Sequence, residues 1–437
     1  TRSFSDVSIL ESVIGGENKG RYSIILFNIY ENIEIFKDFA LVDNKKTKIK
    51  SPKDFIKKIN TRKKIKNFYQ KNIPIPFIIG NLSFDLCKFT LPKLIHKTSR
   101  NELDIPLAHF VRPKNIIVID NILNETHLLE ISNSNSYQKS LSKIENILFT
   151  DKTSGKNANN IKKKTPKSFK KHMKKEDFIN KVNKIKNEIT KGEIFQAVLS
   201  QRFSAPYNID PFDFYRAIRS VNPSPYLVFL NLNKYQIICS SPETMINVKD
   251  KKITLRPIAG TRRRGKNDKD DLKMKNELLS DKKELAEHLM LVDLGRNDVG
   301  QISKKNTVKV TQQNIIEYYS HVMHIVSNVT GELKDNLDPI DVLFAGLPAG
   351  TVSGAPKIRA LEILEEQESI NREFYSGSVC YLDINGDMDS CINLRTAMIK
   401  DKRIYTQSGA GIVYDSIPNN EYLECMNKAN ALFEAYK

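Results

Sequence analysis

The chain has 437 residues, 40% of them hydrophobic and 27% charged, and 69 Lys and Arg against 51 Asp and Glu give a formal net charge of +18. A chain of this size can bury one elaborate core or two, and no apolar run reaches the roughly 18 residues that a membrane-crossing helix requires. The excess charge is lysine, concentrated at 45–66 and 152–175 among Asn and Ile without interleaved aromatics or a helix-turn-helix, zinc-finger or RNP pattern, so solvated lysines are preferred over a nucleic-acid surface.

In chain order, residues 1–150 alternate short β-like runs at 22–29, 76–79, 115–119 and 126–131 with polar turns. Residues 151–175, rich in Lys, Asn, Ser and Thr, predict a basic linker or mobile loop. From 176, Phe178, Val182, Ile185 and Ile189 recur every three to four residues and predict a helix ending near Gly192. β-like runs follow at 226–230, 235–239 and 253–257, then a charged helix around 281–293 and apolar segments around 322–329. A Gly-rich turn leads into a helix over 356–366, and β-like runs at 378–382 and 404–407 precede a final helix over 420–436. Strands and helices mixed without a βαβ repeat predict an α+β fold.

Cys87, Cys239, Cys380, Cys391 and Cys425 show no CxxC spacing, which predicts reduced, buried thiols of a cytoplasmic protein rather than a zinc or disulfide framework. No secretory leader is read, and the absence of an initiator Met predicts a processed or trimmed N-terminus.

Two glutamate pairs share one spacing, Glu284-x-x-Glu287 and Glu421-x-x-Glu424. A spacing of three sets both carboxylates of a pair on one helix face. If the two faces meet, four negative charges converge and require a cation or protons between them, and an all-oxygen set suits a hard ion such as Mg2+. Taken singly, either pair reads as a solvated helix face.

Further segments recur in a definite order. They are 192–204 (Gly-Glu-Ile-Phe-Gln-Ala-Val-Leu-Ser-Gln-Arg-Phe-Ser), Ser240-Ser241-Pro242-Glu243, 256–262 (Arg-Pro-Ile-Ala-Gly-Thr-Arg) and 284–293 around the first glutamate pair. After them come His321-Val322-Met323-His324, 349–357 (Ala-Gly-Thr-Val-Ser-Gly-Ala-Pro-Lys) and 407–413 (Gln-Ser-Gly-Ala-Gly-Ile-Val). Together they resemble the chorismate-utilising enzymes, most closely the anthranilate synthase component I (large, synthase subunit) branch of that family. The resemblance is strong over 176–437 and weaker over 1–150, where Leu10-Glu11-Ser12 and Gly20-Arg21-Tyr22-Ser23 carry it.

The resemblance implies an α+β fold of mixed sheets flanked by helices, with 1–150 a regulatory, tryptophan-binding-like region, 151–175 the linker and 176–437 the chorismate-binding catalytic region. It implies Mg2+ among Glu284, Glu287, Glu421 and Glu424, the second of each pair ligating directly and the first through water. Glu243 would be the general acid for the departing C4 hydroxyl, although alone it reads as a turn residue after Ser-Ser-Pro. His324 would lie over the substrate ring, although a lone His in an apolar run reads as core; whether it is a base or a positioning group stays open. Gln196 and Thr351 complete the candidate catalytic set. Gly409 and Gly411, read as a Gly-rich turn, would clamp the enolpyruvyl carboxylate with Arg395 and Tyr375. Gly260, Thr261 and Gly354 would be neighbouring substrate contacts and Lys428 an anion partner. Neither glycine segment fits a nucleotide-binding pattern.

Within the family, isochorismate and salicylate synthases carry a water-activating lysine where this chain has Gln196, and aminodeoxychorismate synthases carry a nucleophilic lysine where it has Ala259. Neither side chain here is an amine, so ammonia is the expected nucleophile and anthranilate with pyruvate the expected products. An aminodeoxychorismate synthase component I is the alternative, and a basic nucleic-acid-binding protein the alternative outside the class. No Gly-x-Cys-x-Gly element occurs, so a separate glutamine amidotransferase subunit is the implied partner. Ser12 with Pro225, Tyr226 and Leu227 resembles the family's tryptophan feedback pocket; the same Ser-Pro-Tyr also reads as a plain strand entry.

Overall fold

A computed structural model of the chain describes residues 6–12, 20–59, 73–91, 100–131, 141–142, 144–145, 168–319 and 322–436. Its named strands join one sheet by antiparallel pairing. From one end, Gln196–Pro206 lies beside Arg403–Ile412, followed by Thr396–Lys400, Gln236–Ser241, Tyr226–Asn231, Ser8–Glu11 and Tyr22–Ile35. The ladder continues through Ala108–Asp120, Pro76–Leu82, Ser378–Asp383, Met388–Ile392, Asn247–Lys249 and Lys252–Leu255 to Val322–Glu332. Ile258–Arg263 and Lys309–Tyr318 also pair with Val322–Glu332. The fold is α+β, as the mixed pattern predicts.

Alternation decides which face each strand buries. Ile24 and Leu26 point into a core with Ile79, Val111, Val118, Val228, Ile237, Val379 and Met398, so strands from both halves of the sequence enclose it. On the opposite face Phe27 packs with Phe214 and Ile218 of helix Pro211–Val221. Each such buried side chain contributes about 1.5–3 kcal/mol. The change of composition near 150 therefore does not interrupt the hydrogen bonding: Ser8–Glu11 pairs with Tyr226–Asn231, and Pro76–Leu82 with Ser378–Asp383.

Helix Lys175–Thr190 buries Phe178, Val182 and Ile185 against Ala197, Leu199 and Phe203. Residues 151–167 of the expected linker lie outside the described residues. Residues 168–175 differ from a free linker: Lys170–Lys171 pairs with Phe203 and Ser204, and the Phe169 ring sits 4.6 Å from that of Phe433. The charged helix runs over Lys282–Ile302, longer than expected, because Val292, Val299 and Ile302 continue its buried stripe. A helix not foreseen, Asp268–Ser280, precedes it, with the Asn267 side chain accepting from Asp270 N. All five cysteines are buried and free, and among the described residues no helix is long and apolar enough to cross a membrane.

Candidate functional site

Two helices bring acidic faces to the site from different strands. Lys282–Ile302 packs on Ile258–Arg263 and Val322–Glu332, whereas the C-terminal helix Pro418–Tyr436 packs on Arg403–Ile412. Burial is the largest cause raising the Glu287 carboxyl above its usual range; Lys283 opposes it, and Glu284, Glu421 and Glu424 each add to it. The Glu421 carboxyl is likewise raised, first by burial, with Glu424 adding and Ser416, Lys428 and Lys283 opposing. The two glutamate pairs thus lie within electrostatic reach of one another. Glu284 pairs with Arg262 at 3.0 Å and Glu424 with Lys428 at 2.7 Å. Among the described residues, no three acidic, His or Cys side chains close into a metal cage. Their mutual repulsion and all-oxygen chemistry nevertheless fit a hard cation.

Strand Ile258–Arg263 carries a bulge between Ala259 and Thr261, where Gly260 sits at φ +64°. That left-handed conformation favours glycine. The bulge turns the Gly260 carbonyl toward His324, whose Nδ1 lies 3.0 Å from it and 3.0 Å from the Thr261 hydroxyl. A carbonyl only accepts, so Nδ1 carries the proton and Nε2 keeps its lone pair. Burial lowers the His324 pKa, the Gly260 hydrogen bond opposes this, and Arg395 and Lys428 lower it further. Burial and these two cations favour the neutral imidazole.

Glu243 follows strand Gln236–Ser241, held by its N–H donating to Ser241 Oγ at 3.2 Å and its carbonyl accepting from Ile392 N at 3.1 Å. Its side chain is buried, and burial pushes the carboxyl up to about 8, against the opposing effects of Thr351 and Lys428. The Thr351 Oγ1 is buried without a hydrogen bond of ordinary geometry. Near pH 7, Glu243 is a protonated donor.

Arg395 occupies φ +46° and donates to Asn222 Oδ1 at 3.2 Å. Burial lowers its pKa, and Tyr319 opposes that shift. None of the ion pairs among the described residues includes Arg395, which leaves its guanidinium charge uncompensated beside His324.

Gly409 and Gly411 lie inside strand Arg403–Ile412, not in a turn as their sequence context predicts. A Cβ on Gly409 would stand 2.7 Å from Leu199 O, and one on Gly411 2.8 Å from Gln196 Nε2. Close approach, not chain reversal, is why these positions are glycine. The tight hairpin pairs Lys400 with Arg403, and Arg403 faces Pro206, which has no N–H. Alternation then points the N–H groups of 405, 407, 409 and 411 away from Gln196–Pro206. Pairing with Thr396–Lys400 ends at Thr406, so among the described residues no strand covers the N–H groups of Gly409 and Gly411 on that side. Across the ladder, Gln196 lies in the strand opposite Gly411, its Oε1 buried with no hydrogen bond among the described residues. Gly354 pairs with Ala197 beside it.

Tyr375 is buried with Phe374 and Val379, its ring 5.9 Å from the Arg372 guanidinium; burial raises its phenol, with Cys425 and Glu368 adding and Arg372 and Ser376 opposing. The expected inhibitor residues do come together. Glu11 pairs with Leu227, which brings Ser12 alongside Tyr226 and Pro225, and Ser12 Oγ is buried without a partner among the described residues. The Tyr226 hydroxyl lies 2.8 Å from Thr244 Oγ1, next to Glu243, and donates to Asp389 at 3.1 Å. The segment 222–226 therefore touches Arg395 at one end and the neighbour of Glu243 at the other. Sequence reasoning attached no role to Glu317 or Tyr319, whose placement follows from strand register, and read Asn222 only as the start of the segment 222–227 that resembles the inhibitor pocket.

A family description, chorismate binding enzyme, matches residues 14–434. The chain is 41% identical to anthranilate synthase component 1 of Acetivibrio thermocellus, covering 98% of this chain and 89% of that protein. It is 39% identical to that of Aquifex aeolicus, covering 98% and 88%. The crystal structure of anthranilate synthase component I from Streptococcus pneumoniae superposes with TM-score 0.83 at 37% identity, covering 97% of this chain and 94% of that one. The menaquinone-specific isochorismate synthase MenF of Escherichia coli shares the fold, with TM-score 0.73 at 18% identity over 99% and 89% of the two chains.

Proposed function

The chain belongs to the chorismate-binding enzymes, and on that premise we propose that it converts chorismate and ammonia to anthranilate and pyruvate as the synthase component of an anthranilate synthase. The observation that carries this reading is the arrangement of buried Glu243, of His324 held through Nδ1 by the Gly260 carbonyl, and of Arg395. Burial pushes the Glu243 carboxyl up to about 8 and the His324 imidazole down, Arg395 has no ion-pair partner among the described residues, and neither Gln196 nor Ala259 supplies an amine.

Arg395 and the N–H groups of Gly409 and Gly411 bind the enolpyruvyl carboxylate; an arginine fork suits that group. Glu287 and Glu424 would hold Mg2+ directly and Glu284 and Glu421 through water, and the bound ion would neutralise the ring carboxylate. Glu243 gives its proton to the C4 oxygen, so water rather than hydroxide leaves as the ammonia nitrogen bonds to C2, and the ammonium so formed loses one proton to water. Gln196 Oε1, buried with no hydrogen bond among the described residues, and Thr351 Oγ1, which faces Glu243, accept hydrogen bonds from the entering ammonia. The Nε2 lone pair of His324 takes the C2 proton as the C3–O bond breaks and the ring becomes aromatic, and the departing enolpyruvate takes up a proton at its methylene carbon to become pyruvate.

Ammonia is delivered by a separate glutamine amidotransferase subunit. Each cysteine here is buried, away from any free glutamine that would need to reach a nucleophilic thiol. Tryptophan inhibits by occupying the Ser12, Pro225, Tyr226 and Leu227 region; its route to the site runs from Asn222 to Arg395 and from Tyr226 to Thr244. The test uses the purified chain with chorismate. Turnover is expected with Mg2+ and ammonium, to stop with chelator, to fail with glutamine until the partner is added, and to fall with tryptophan. Glutamate release from glutamine by the chain alone would contradict the partner, and chelator-insensitive turnover would contradict the metal.

A further inference from the structure

Arg256, Glu317 and Tyr319 carry no role in the reading above, yet they form a chain that ends on His324. Arg256 Nη2 makes an ion pair with Glu317, both side chains being largely buried. Glu317 Oε2 accepts the Tyr319 hydroxyl at 3.2 Å. The Tyr319 ring meets His324 edge-on, with centroids 5.3 Å apart and planes at 71°. The backbone fixes these partners: Glu317 lies directly opposite His324 in the ladder, and Tyr319 N donates to Val322 O at 2.8 Å beside it. Arg256 follows Lys252–Leu255, which pairs with the same central strand.

The hydrogen bond from Nδ1 to Gly260 anchors one nitrogen of the imidazole but leaves its tilt about that bond undetermined. An edge-on aromatic contact sets the tilt. We propose that Arg256, Glu317 and Tyr319 are positioning residues that fix the direction of His324 Nε2: the ion pair orients the Glu317 carboxylate, the carboxylate holds the phenol, and the phenol edge sets the imidazole plane. The inference rests on the reading that His324 acts on the substrate. Burial, with Glu317 adding, pushes the Tyr319 hydroxyl above its ordinary range, so it remains a donor.

The test is a double-mutant cycle on the full chain, with ammonium as nitrogen source. Y319F and E317Q, which keep the ring contact but loosen it, are expected to lower kcat about 5- to 10-fold, and Y319L about 100-fold, the scale of a misplaced catalytic group. KM for chorismate should change less than about twofold and the thermal midpoint of Y319F should not move. In an H324A background, Y319L should have no further effect. Equal losses in both backgrounds, or full activity in Y319L, would overturn the proposal. Selective 15N-histidine spectra separate the two premises. If H324A keeps full turnover, the catalytic reading of His324 falls, while the positioning chain stands or falls on whether Y319L perturbs the His324 ring resonances.

Discussion

His324 Nδ1 and the Gly260 carbonyl oxygen are 3.0 Å apart, so a backbone bulge, not another side chain, decides which imidazole nitrogen is protonated. Gly260 is the point at which this arrangement can be broken cleanly. A Cβ there would lie 3.0 Å from Ile325 Cδ1 and 3.2 Å from Glu284 Oε2, on a backbone at φ +64°. G260A is expected to cost about 1–3 kcal/mol of stability through backbone strain and to lower kcat more than it raises KM. Denaturant melts with steady-state kinetics check both; unchanged kcat would separate the bulge from the chemistry.

The Glu243 carboxyl titrates near 8 because it is buried. Its donor form is present below that pH and lost above it. The rate, corrected for the fraction of ammonia that is unprotonated, is therefore expected to fall as pH rises through about 8. E243Q keeps the shape but cannot release a proton, so kcat should drop about 100- to 10,000-fold and the alkaline limb should vanish. The folded protein holds this proton between the ordinary carboxyl pKa and about 8, so stability from this group also declines as pH rises through that window, and E243Q should remove that slope.

Gly409 and Gly411 should respond differently to alanine. The neighbour a new Cβ meets at 409 is the Leu199 backbone, which cannot move without disturbing the ladder; at 411 it is the Gln196 side-chain amide, which can swing aside. G409A is expected to lower the thermal midpoint by several degrees, whereas G411A melts like the parent but loses ammonia-dependent turnover. Equal midpoints for the two variants would contradict the packing argument.

R395K keeps the charge and the same backbone strain at φ +46° but loses the fork. The loss of a charge-assisted hydrogen bond of about 1.5–3 kcal/mol predicts a KM for chorismate raised roughly 10- to 150-fold. The thermal midpoint should hold, because no acidic partner among the described residues is left unpaired.

Local periodicity made the helix at Phe178, Val182 and Ile185 legible, and the spacing of the glutamate pairs showed that each lies on one helix face. That the two pairs come within electrostatic reach of each other depends on strands whose order interleaves the two halves of the chain, which no local pattern encodes. The helix Asp268–Ser280 was hidden because its composition is that of a solvated loop, with Leu278 as its one buried apolar residue. Gly409 and Gly411 read as a turn because the space they vacate is filled by Leu199 and Gln196, more than 200 positions away. Tyr319 and Glu317 were invisible for the same reason: their meeting with His324 is a matter of cross-strand register.

The most direct measurement is product analysis after the purified chain is incubated with chorismate, Mg2+ and ammonium. The arrangement of Glu243, His324 and Arg395 predicts fluorescent anthranilate with one pyruvate released per molecule formed, both lost in E243Q. Accumulation of an aminated or hydroxylated chorismate with its enolpyruvyl group intact and no pyruvate would contradict it.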